Sequence, residues 1–537
     1  MNPPTGGSLA CPVRSLSKFE LAPNIFNSKK QFFIFKLFLV KLSNGASLII
    51  ITMSEEQSRL EKLNNIKEQG INPYISTCRR TRTINEMCDN FDDLLKKGDK
   101  ISLVGRLRLM RGHGKASFAD LEDGTGRMQI YLKHDIVGAE TYTFFVDDID
   151  VGDFIEVEGT LFLTKTNEKT LVVEKLKLLS KALLPLPEKW HGLSDPELKS
   201  RKRYLDLLAN PEVKNVFITR SRLIKLIRRF FDERDYLEVE TPILQPMAGG
   251  AAAKPFATHH NALDIDMYLR IAPELYLKRL IVGGFEKVYE VAKCFRNEGI
   301  DWAHNPEFTQ IEFYQAYADY RDLMRLTEEL MSFLVQELTG GEELIYGDHH
   351  LSFKTPFSKI DYRQALIKYA NIDLADYPEA TDLAEKAIKM GLKIEKAWGK
   401  GKLIDEIYKE LVRPKLIDPV FIINHPIELS PLAKKIENNP KYVERFQLVI
   451  AGAEFCNAYS ELNDPLDQES RFKEQQELLA KGDEEAQSAD NDFVEALKYG
   501  MPPTAGEGIG IDRLLMLFTN IHNIKEGILF PTMRPKA

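Results

Sequence analysis

The sequence predicts an α+β protein of at least two domains, a small closed β-barrel followed by a larger domain that mixes strands and helices. Three observations carry this. The 537 residues exceed what one hydrophobic core serves, since single cores stop growing near ~250 to 300 residues. From about Thr81 to Leu183 the apolar pattern has period two, as in half-buried strands. Beyond Lys214, stretches of helical period alternate with short strand-like runs. A content of 44% hydrophobic and 28% charged residues is that of an ordinary globular chain and excludes a disordered one. The net charge of -8 excludes a generally basic nucleic-acid coat but permits a local basic face.

Residues 1–52 form a leader with six Lys and Arg against one acid. Its apolar stretch FFIFKLFLVKLSNGASLIII is broken by Lys36, Lys41, Asn44 and Gly45, which suits a membrane-spanning helix poorly. Two readings fit: a basic, acid-poor transit leader, or a chain that starts at Met53, which the helix that follows favours. Residues 53–80 are expected to hold that helix, with a narrow stripe of Leu60, Leu63 and Ile66, ended by Gly70 and Pro73. Residues 81–184 contain KISLVGRLRLMR, ASFADLEDGTGRMQIYLK and DFIEVEGTLFLTKTNEKTLVVEKLKLLS, with turn signals at Asp123-Gly124 and Asn167-Glu168. Short alternating strands at this spacing predict a five-stranded OB-fold, whose usual cargo is single-stranded nucleic acid or an oligosaccharide. GHGKAS, Gly112 to Ser117, lacks two features of a phosphate loop. Leu109 replaces its first glycine and Ala116 its hydroxyl residue, so it reads as a hairpin turn.

Residues 185–213, with Pro185 and Pro187, are expected to link the barrel to a domain spanning 214–537. This domain opens with a helix from Lys214 to Arg234 whose apolar face includes Val216, Ile218, Leu223, Leu226, Ile227 and Phe230. LEVETPIL then reads as a strand that closes on Pro242, hence at an edge or interface. A glycine turn, GGAAAKPF, and a helix carrying Glu274 follow. The stretch Val288 to Tyr320 reads as a strand through Phe295 to Glu298, a loop with Gly299, His304, Asn305 and Pro306, and a returning strand from about Glu307. So long and charged a loop suits either a site for a polyphosphate and a small polar substrate or a solvated hairpin. Arg321 to Arg445 names no chemistry. Strands return in ERFQLVIAGAEFCNAYSELNDP, followed by a charged helix and a solvated acidic tract, Gly482 to Asp492. PPTAGEGIGIDRLLMLFTN gives a glycine-rich strand, with Asp512-Arg513 opening an apolar helix. The five cysteines form no C-x-x-C pair, which points to reduced thiols in a cytoplasm-like compartment.

Three separated segments share one resemblance. LEVETPIL, FRNEG with HNPEFT, and GIGIDRLLMLFT resemble motifs 1, 2 and 3 of the class II aminoacyl-tRNA synthetases. Behind an OB-fold, that order resembles the subgroup for lysine, aspartate and asparagine. RKRYLDLLANPEV, RNEGIDWAHNPEFTQIEFYQAYADY and NAYSELNDPLDQ are similar to the lysyl-tRNA synthetases, over a stretch from about Leu60 to the C-terminus. The resemblance implies a catalytic domain built on an antiparallel sheet flanked by helices. It also implies ATP-dependent activation of L-lysine to lysyl-adenylate and transfer to the 3′ end of tRNA(Lys), with Mg2+, in a cytoplasmic homodimer joined through motif 1.

On the family pattern, Gly250 and Glu274 match the residues that hold the lysine α-amino group, and Gly510 matches a further lysine-binding position. Glu312, Tyr314, Asn457, Tyr459 and Glu461 match the side-chain pocket, where carboxylates and a phenol suit an ammonium. Simple packing is the competing role for Tyr459. For ATP, Arg296 matches the motif 2 arginine between the α-phosphate and the substrate carboxylate. Glu298, His304 and Phe308 match positions around adenine and triphosphate, and Arg513 matches the motif 3 arginine near the γ-phosphate. Arg296 and Arg513 are the implied catalytic residues. Glu454 matches a magnesium ligand, whereas Gln447 stands where the family has a second metal-binding glutamate, which implies a weaker ligand there or a site left to water and phosphate. Phe118, Gln129 and Glu168 match anticodon-reading positions, with a core role as the alternative for Phe118. A sister enzyme for asparagine or aspartate, and a non-catalytic OB-fold nucleic-acid-binding paralogue, are the other readings.

Overall fold

A computed structural model describes residues 54–187, 193–247, 249–251, 253–395, 398–480 and 489–535. The leader before Met53 and most of the acidic tract after Gly482 lie outside these. The chain divides into two compact units at Leu186/Pro187, each with its own core.

The first unit opens with helix α1 (Glu55–Glu68), which Ser54 and Gln57 start through a reciprocal capping box. Of its expected stripe, Leu63 and Ile66 are buried while Leu60 is exposed. A closed barrel follows: β1 (Ile101–His113), β2 (Ala116–Glu122), β3 (Arg127–Lys133), β4 (Phe154–Leu163) and β5 (Lys169–Ser180), in the order β1-β2-β3-β5-β4. Alternate residues such as Leu121, Ile130, Leu132, Val157 and Leu171 fill it. The β4 glycine, Gly159, is required: a Cβ there would lie 1.7 Å from the Val172 carbonyl oxygen. GHGKAS is the β1–β2 hairpin, with Gly114 at φ +60. Two short helices, His134–Val137 and Ala139–Asp147, separate β3 from β4 where the sequence reading expected none.

The second unit is organised on an eight-stranded sheet. Its strands are β6 (Leu237–Glu238), β7 (Lys287–Phe295), β8 (Glu307–Ala316), β9 (Ser358–Asp361), β10 (Val420–Ile423), β11 (Arg445–Ile450), β12 (Ala453–Ser460) and β13 (Thr504–Gly510). The order is β9-β10-β11-β12-β13-β8-β7-β6. The six central strands run antiparallel as expected, and β6 and β9 add a parallel pairing at each edge. Helices α2 (Glu212–Asp232), α4 (Tyr320–Thr339) and α5 (Ile511–Thr519) pack in one apolar cluster with the sheet. Helix α3 (Glu274–Val282) belongs to a smaller cluster with Val288 and Tyr314. Ile218, expected on the apolar face of α2, is exposed, and the buried face begins at Leu223.

Only two residues of the expected LEVETPIL strand pair in this sheet, Leu237 and Glu238, at its edge. Behind them Arg270 and Glu290 form a buried ion pair of 2.5 Å. Thr241 donates its hydroxyl to Glu290 and accepts from Arg270 through its carbonyl, which fastens this segment to β7. The Arg321 to Arg445 region holds a separate helical cluster around Tyr362, Leu366, Leu383, Leu403, Ile407 and Tyr408.

Candidate active site

The register of three neighbouring strands builds the floor of a site. Glu312 on β8 lies opposite Gly508 on β13, which lies opposite Asn457 on β12. The next row on the same face is Tyr314, Gly506 and Tyr459, and Gln310 lies opposite Gly510. Polar side chains from the outer two strands therefore flank a glycine strand that leaves the space above it open. Gly506 is the tightest point: a Cβ would fall 2.2 Å from the Tyr314 ring and 2.5 Å from Glu461 Oε1. The GEGIG pattern thus has a steric cause.

Above this floor is a cavity of about 910 Å³. Gly250, Glu274, Arg296, Glu298, His304, Phe308, Glu312, Tyr314, Gln447, Glu454, Asn457, Tyr459, Gly510 and Arg513 all line it. These residues come from stretches far apart in the sequence. Glu461 is buried and stands behind the wall. Gln447 reaches the cavity because it pairs in register with Asn457 and shares its face. Glu454 faces the cavity through a β-bulge: Val449 pairs with Glu454 and Leu448 with Cys456, so Phe455 is the extra residue that re-aims the strand.

One end of the cavity is acidic and enclosed by buried side chains. Glu274, Glu312 and Glu461 are all buried. The Tyr314 hydroxyl donates to Glu312 Oε1 at 2.7 Å and Gln310 Nε2 donates to its Oε2 at 2.8 Å. Burial, with the Glu274 charge nearby, pushes the Glu312 carboxyl up to about 8, and the Tyr314 hydrogen bond offsets this only in part. The Tyr459 hydroxyl donates to Glu274 Oε1 at 2.7 Å, so this tyrosine both packs and orients a carboxylate. Gly250 (φ +87) would bring a Cβ to 2.9 Å of the Glu274 Cβ, so the glycine lets its backbone lie against that side chain. Arg445 donates to Asn457 Oδ1 at 2.7 Å, which leaves the Asn457 amide nitrogen to other partners.

The other end is cationic and open. The β7 strand stops at Phe295, so Arg296 opens the loop, and its guanidinium lies 5.0 Å over the Phe308 ring. His304 Nδ1 sits 2.8 Å from Asp301 Oδ2; hydrogen bonds from His304 and backbone N–H groups outweigh partial burial and hold Asp301 below the usual carboxylate range. Arg513 Nη1 donates to the Glu454 carbonyl at 2.7 Å. Asp512 explains its placement. That carboxylate takes Arg220 Nη1 at 2.5 Å and the Thr309 N–H at 2.7 Å, locking the start of α5 to β8. Glu298 is exposed.

Sequence reasoning missed several contributors. Tyr362, Lys400, Lys402, Asp405, Lys409 and His425 form a wall supplied by the region whose role could not be assigned. Burial, with Arg445 nearby, holds the His425 imidazole well below its usual range and therefore neutral. Lys278, in an ordinary-looking helix, is almost fully buried beside the acids.

In the barrel, Phe118 is half-buried on the outer face, between the buried Ser117 and Ala119, so it is not a core aromatic. Its ring lies 4.7 Å from Tyr131, which lies 5.9 Å from Phe162, an aromatic strip that extends the expected residue. Gln129 lies opposite Thr170 and accepts its hydroxyl at 3.0 Å. Glu168 is exposed in the β4–β5 turn two residues earlier. Phe118 and Gln129 thus lie on adjacent strands, and Glu168 lies in the turn that leads into the strand beside Gln129.

A glycine-floored cavity with a buried acid end, a guanidinium end and a separate OB-fold defines a class that the comparisons name. Residues 195–534 match the family described as tRNA synthetases class II (D, K and N), and residues 101–179 match the OB-fold nucleic acid binding domain. The lysine–tRNA ligase of Moorella thermoacetica is 52% identical over 478 residues, 89% of this chain and 97% of the relative. Those of Carboxydothermus hydrogenoformans and Roseiflexus sp. are each 50% identical, over 89% and 90% of this chain and 97% and 99% of their own lengths. The chain belongs to the lysine–tRNA ligase family of class II tRNA synthetases.

Proposed function

We propose that this enzyme activates L-lysine with ATP and transfers the lysyl group to the 3′ end of tRNA(Lys). The observation that carries the substrate is the acid end of the cavity. Glu274, Glu312 and Glu461, buried with Tyr314 and Tyr459, suit a ligand with an ammonium at each end of its carbon chain. An aspartate side chain would meet repulsion there, and an asparagine amide would leave buried carboxylates uncompensated.

In this reading Glu274, with Gly250 beside it, takes the α-amino group, and Glu312, Tyr314, Asn457, Tyr459 and Glu461 surround the side chain. Gly510 continues the floor toward the nucleotide. Arg296 meets both the substrate carboxylate and the α-phosphate, so that like charges approach without repulsion as the carboxylate attacks phosphorus. Phe308 carries that guanidinium from below. Arg513 and His304 take the leaving pyrophosphate, and Glu298 the adenine end. Positioning and charge supply the acceleration, and no side chain acts as a nucleophile. The tRNA terminal hydroxyl then attacks the adenylate.

Magnesium fits the donors present in a limited way. Glu454 offers a carboxylate, and the buried Gln447 Oε1 meets no donor among the described residues. No cluster of three His, Cys, Asp or Glu suited to a metal occurs among those residues. Such a set suits an ion that keeps waters and phosphate oxygens as its remaining ligands, and the ion would neutralise triphosphate charge. Phe118, with Tyr131 and Phe162, offers stacking faces for anticodon bases, while Gln129 and Glu168 supply hydrogen bonds. The exposed Leu237, Ile243, Leu244 and Met247 around the edge strand support a homodimer through this segment. The free thiols of Cys78, Cys88, Cys294 and Cys456 accord with a cytoplasmic enzyme, and no described helix is long and apolar enough to cross a membrane. Pyrophosphate exchange with each of the twenty amino acids tests the function. Exchange with lysine alone is expected; exchange driven by aspartate or asparagine overturns the assignment.

A further inference from the structure

Lys278 lies one helical turn after Glu274 on α3, a spacing that on most helices marks a solvated surface pair. Here it is 1% exposed. Its ammonium is 2.6 Å from Glu274 Oε1 and 2.5 Å from Glu461 Oε2, and it sits near the rings of Tyr459 and Phe493, at 5.5 and 5.7 Å from their centres. Lys278 is not among the residues that line the cavity. Glu461 Oε1 has no hydrogen-bond partner among the described residues, and a Gly506 Cβ would lie 2.5 Å from it, so this oxygen is directed toward the glycine floor. One internal ammonium thus joins two carboxylates from different segments, Glu274 in the cavity wall and Glu461 directly behind it.

We propose that Lys278 is a positioning residue that sets substrate chain length: by bridging Glu274 and Glu461 it fixes the separation between the carboxylate for the α-amino group and the carboxylate for the side-chain ammonium. The inference rests on the assignment of those two carboxylates in the preceding section. It also settles the charge. With the ligand bound and the three carboxylates ionised, one internal ammonium and the two ammonium groups of lysine balance them. Ornithine carries the same charges on a chain one methylene shorter. With the carboxylates locked, it can satisfy one and leaves the other buried and unpaired, a far larger penalty than one methylene of apolar contact. If the carboxylates were free to approach each other, that penalty would fall.

The test is the ratio of kcat/KM for lysine to that for ornithine in pyrophosphate exchange by the full-length enzyme. Lys278→Met keeps the volume of the side chain and removes its charge. The ratio is expected to fall at least tenfold, mainly through KM for lysine, with KM for ATP within twofold of wild type. Phe493→Leu provides a second variant that leaves every charge in place and loosens the seat of Lys278; it is expected to lower the ratio by threefold or more. Ratios unchanged in the variants that fold, whatever happens to the separate constants, overturn the proposal. Absence of lysine-dependent exchange in the wild type refutes the substrate assignment instead, and so is distinguishable.

Discussion

Replacing Glu312 with Gln should make the catalytic unit more stable at neutral pH while it weakens lysine binding. In the folded protein the carboxyl is pushed up to about 8 by burial and by Glu274, against 4.5 for the ordinary group. A carboxyl raised in this way favours the folded state fully below the ordinary value. That advantage is lost as pH rises from there through the folded value. At pH 7 the ionised carboxylate is available to the unfolded chain and withheld from the folded one, at a cost of about 3 kcal/mol. Over this interval the slope approaches 1.4 kcal/mol per pH unit, or about 2 °C in Tm for a unit of this size. Gln keeps the size of the side chain and its acceptor for the Tyr314 hydroxyl, so the slope attributable to this position should vanish. Thermal melts of both proteins between pH 5 and 8.5 check this as a difference, because the buried Glu507, also pushed up to about 8, contributes equally to both. Under the proposed role of Glu312 the lysine ammonium ionises it, so in wild type lysine binding should release a proton below pH 8, and affinity should rise with pH up to that point. Calorimetry in two buffers of different ionisation enthalpy should find more proton release at pH 7 in wild type than in Glu312→Gln. Parallel melting curves, or equal proton release, would refute a charge-strained carboxylate in the pocket.

Three further outcomes follow from the geometry. Gly506→Ala puts a methyl against the Tyr314 ring and Glu461 and should raise KM for lysine about tenfold or more, with KM for ATP nearly unchanged; steady-state exchange kinetics that show no such split sink the close-approach argument. Phe118→Ala removes one stacking face and should lower the rate of tRNA charging by roughly ten- to a hundredfold while exchange without tRNA stays at the wild-type level. Gln447→Glu restores a second carboxylate beside Glu454 and should move the magnesium midpoint of exchange to lower concentration, whereas an unchanged midpoint means that position 447 does not touch the ion.

Much of this was legible because period and turn chemistry are local. Asp123-Gly124 and Asn167-Glu168 do join barrel strands, and Thr504–Gly510 is a strand that delivers Asp512 and Arg513 to the start of a helix. What escaped depends on contacts distant in sequence. Lys278 beside Glu274 looks like any exposed ion pair until Glu461, Tyr459 and Phe493 arrive from other segments to bury it. Phe455 gives no sign of a bulge, yet the bulge brings Glu454 to the side of Asn457. LEVETPIL has strand-like composition, but its apolar residues are mostly exposed and only two positions pair in the central sheet, so composition overstated its regularity. The helices between β3 and β4 were hidden because HDIVGAETYTFFVD is rich in aromatic and β-branched residues that also suit strands.

The hairpin of β7 and β8 explains how one site holds opposite charges without cancelling them. Its two strands and its loop assign sign by depth. Arg296, Glu298 and His304 lie in the loop, at the open end, where water moderates their fields and phosphate can displace it. Glu312 and Tyr314 lie five and seven residues along the returning strand from Glu307, under cover of α3 and the glycine strand. Were Arg296 as deep as Glu312, the two would pair and the pocket would be spent on itself, as Arg270 is on Glu290, the β7 residue opposite Glu312. Among the described residues Lys278 is the one cation paired with the buried acids, through Glu274 and Glu461, and under the proposed function the remaining deficit is what a doubly cationic amino acid supplies. Under the proposed roles of these residues, selectivity for lysine over its neutral and acidic relatives resides in an unfilled charge balance that the fold withholds from itself.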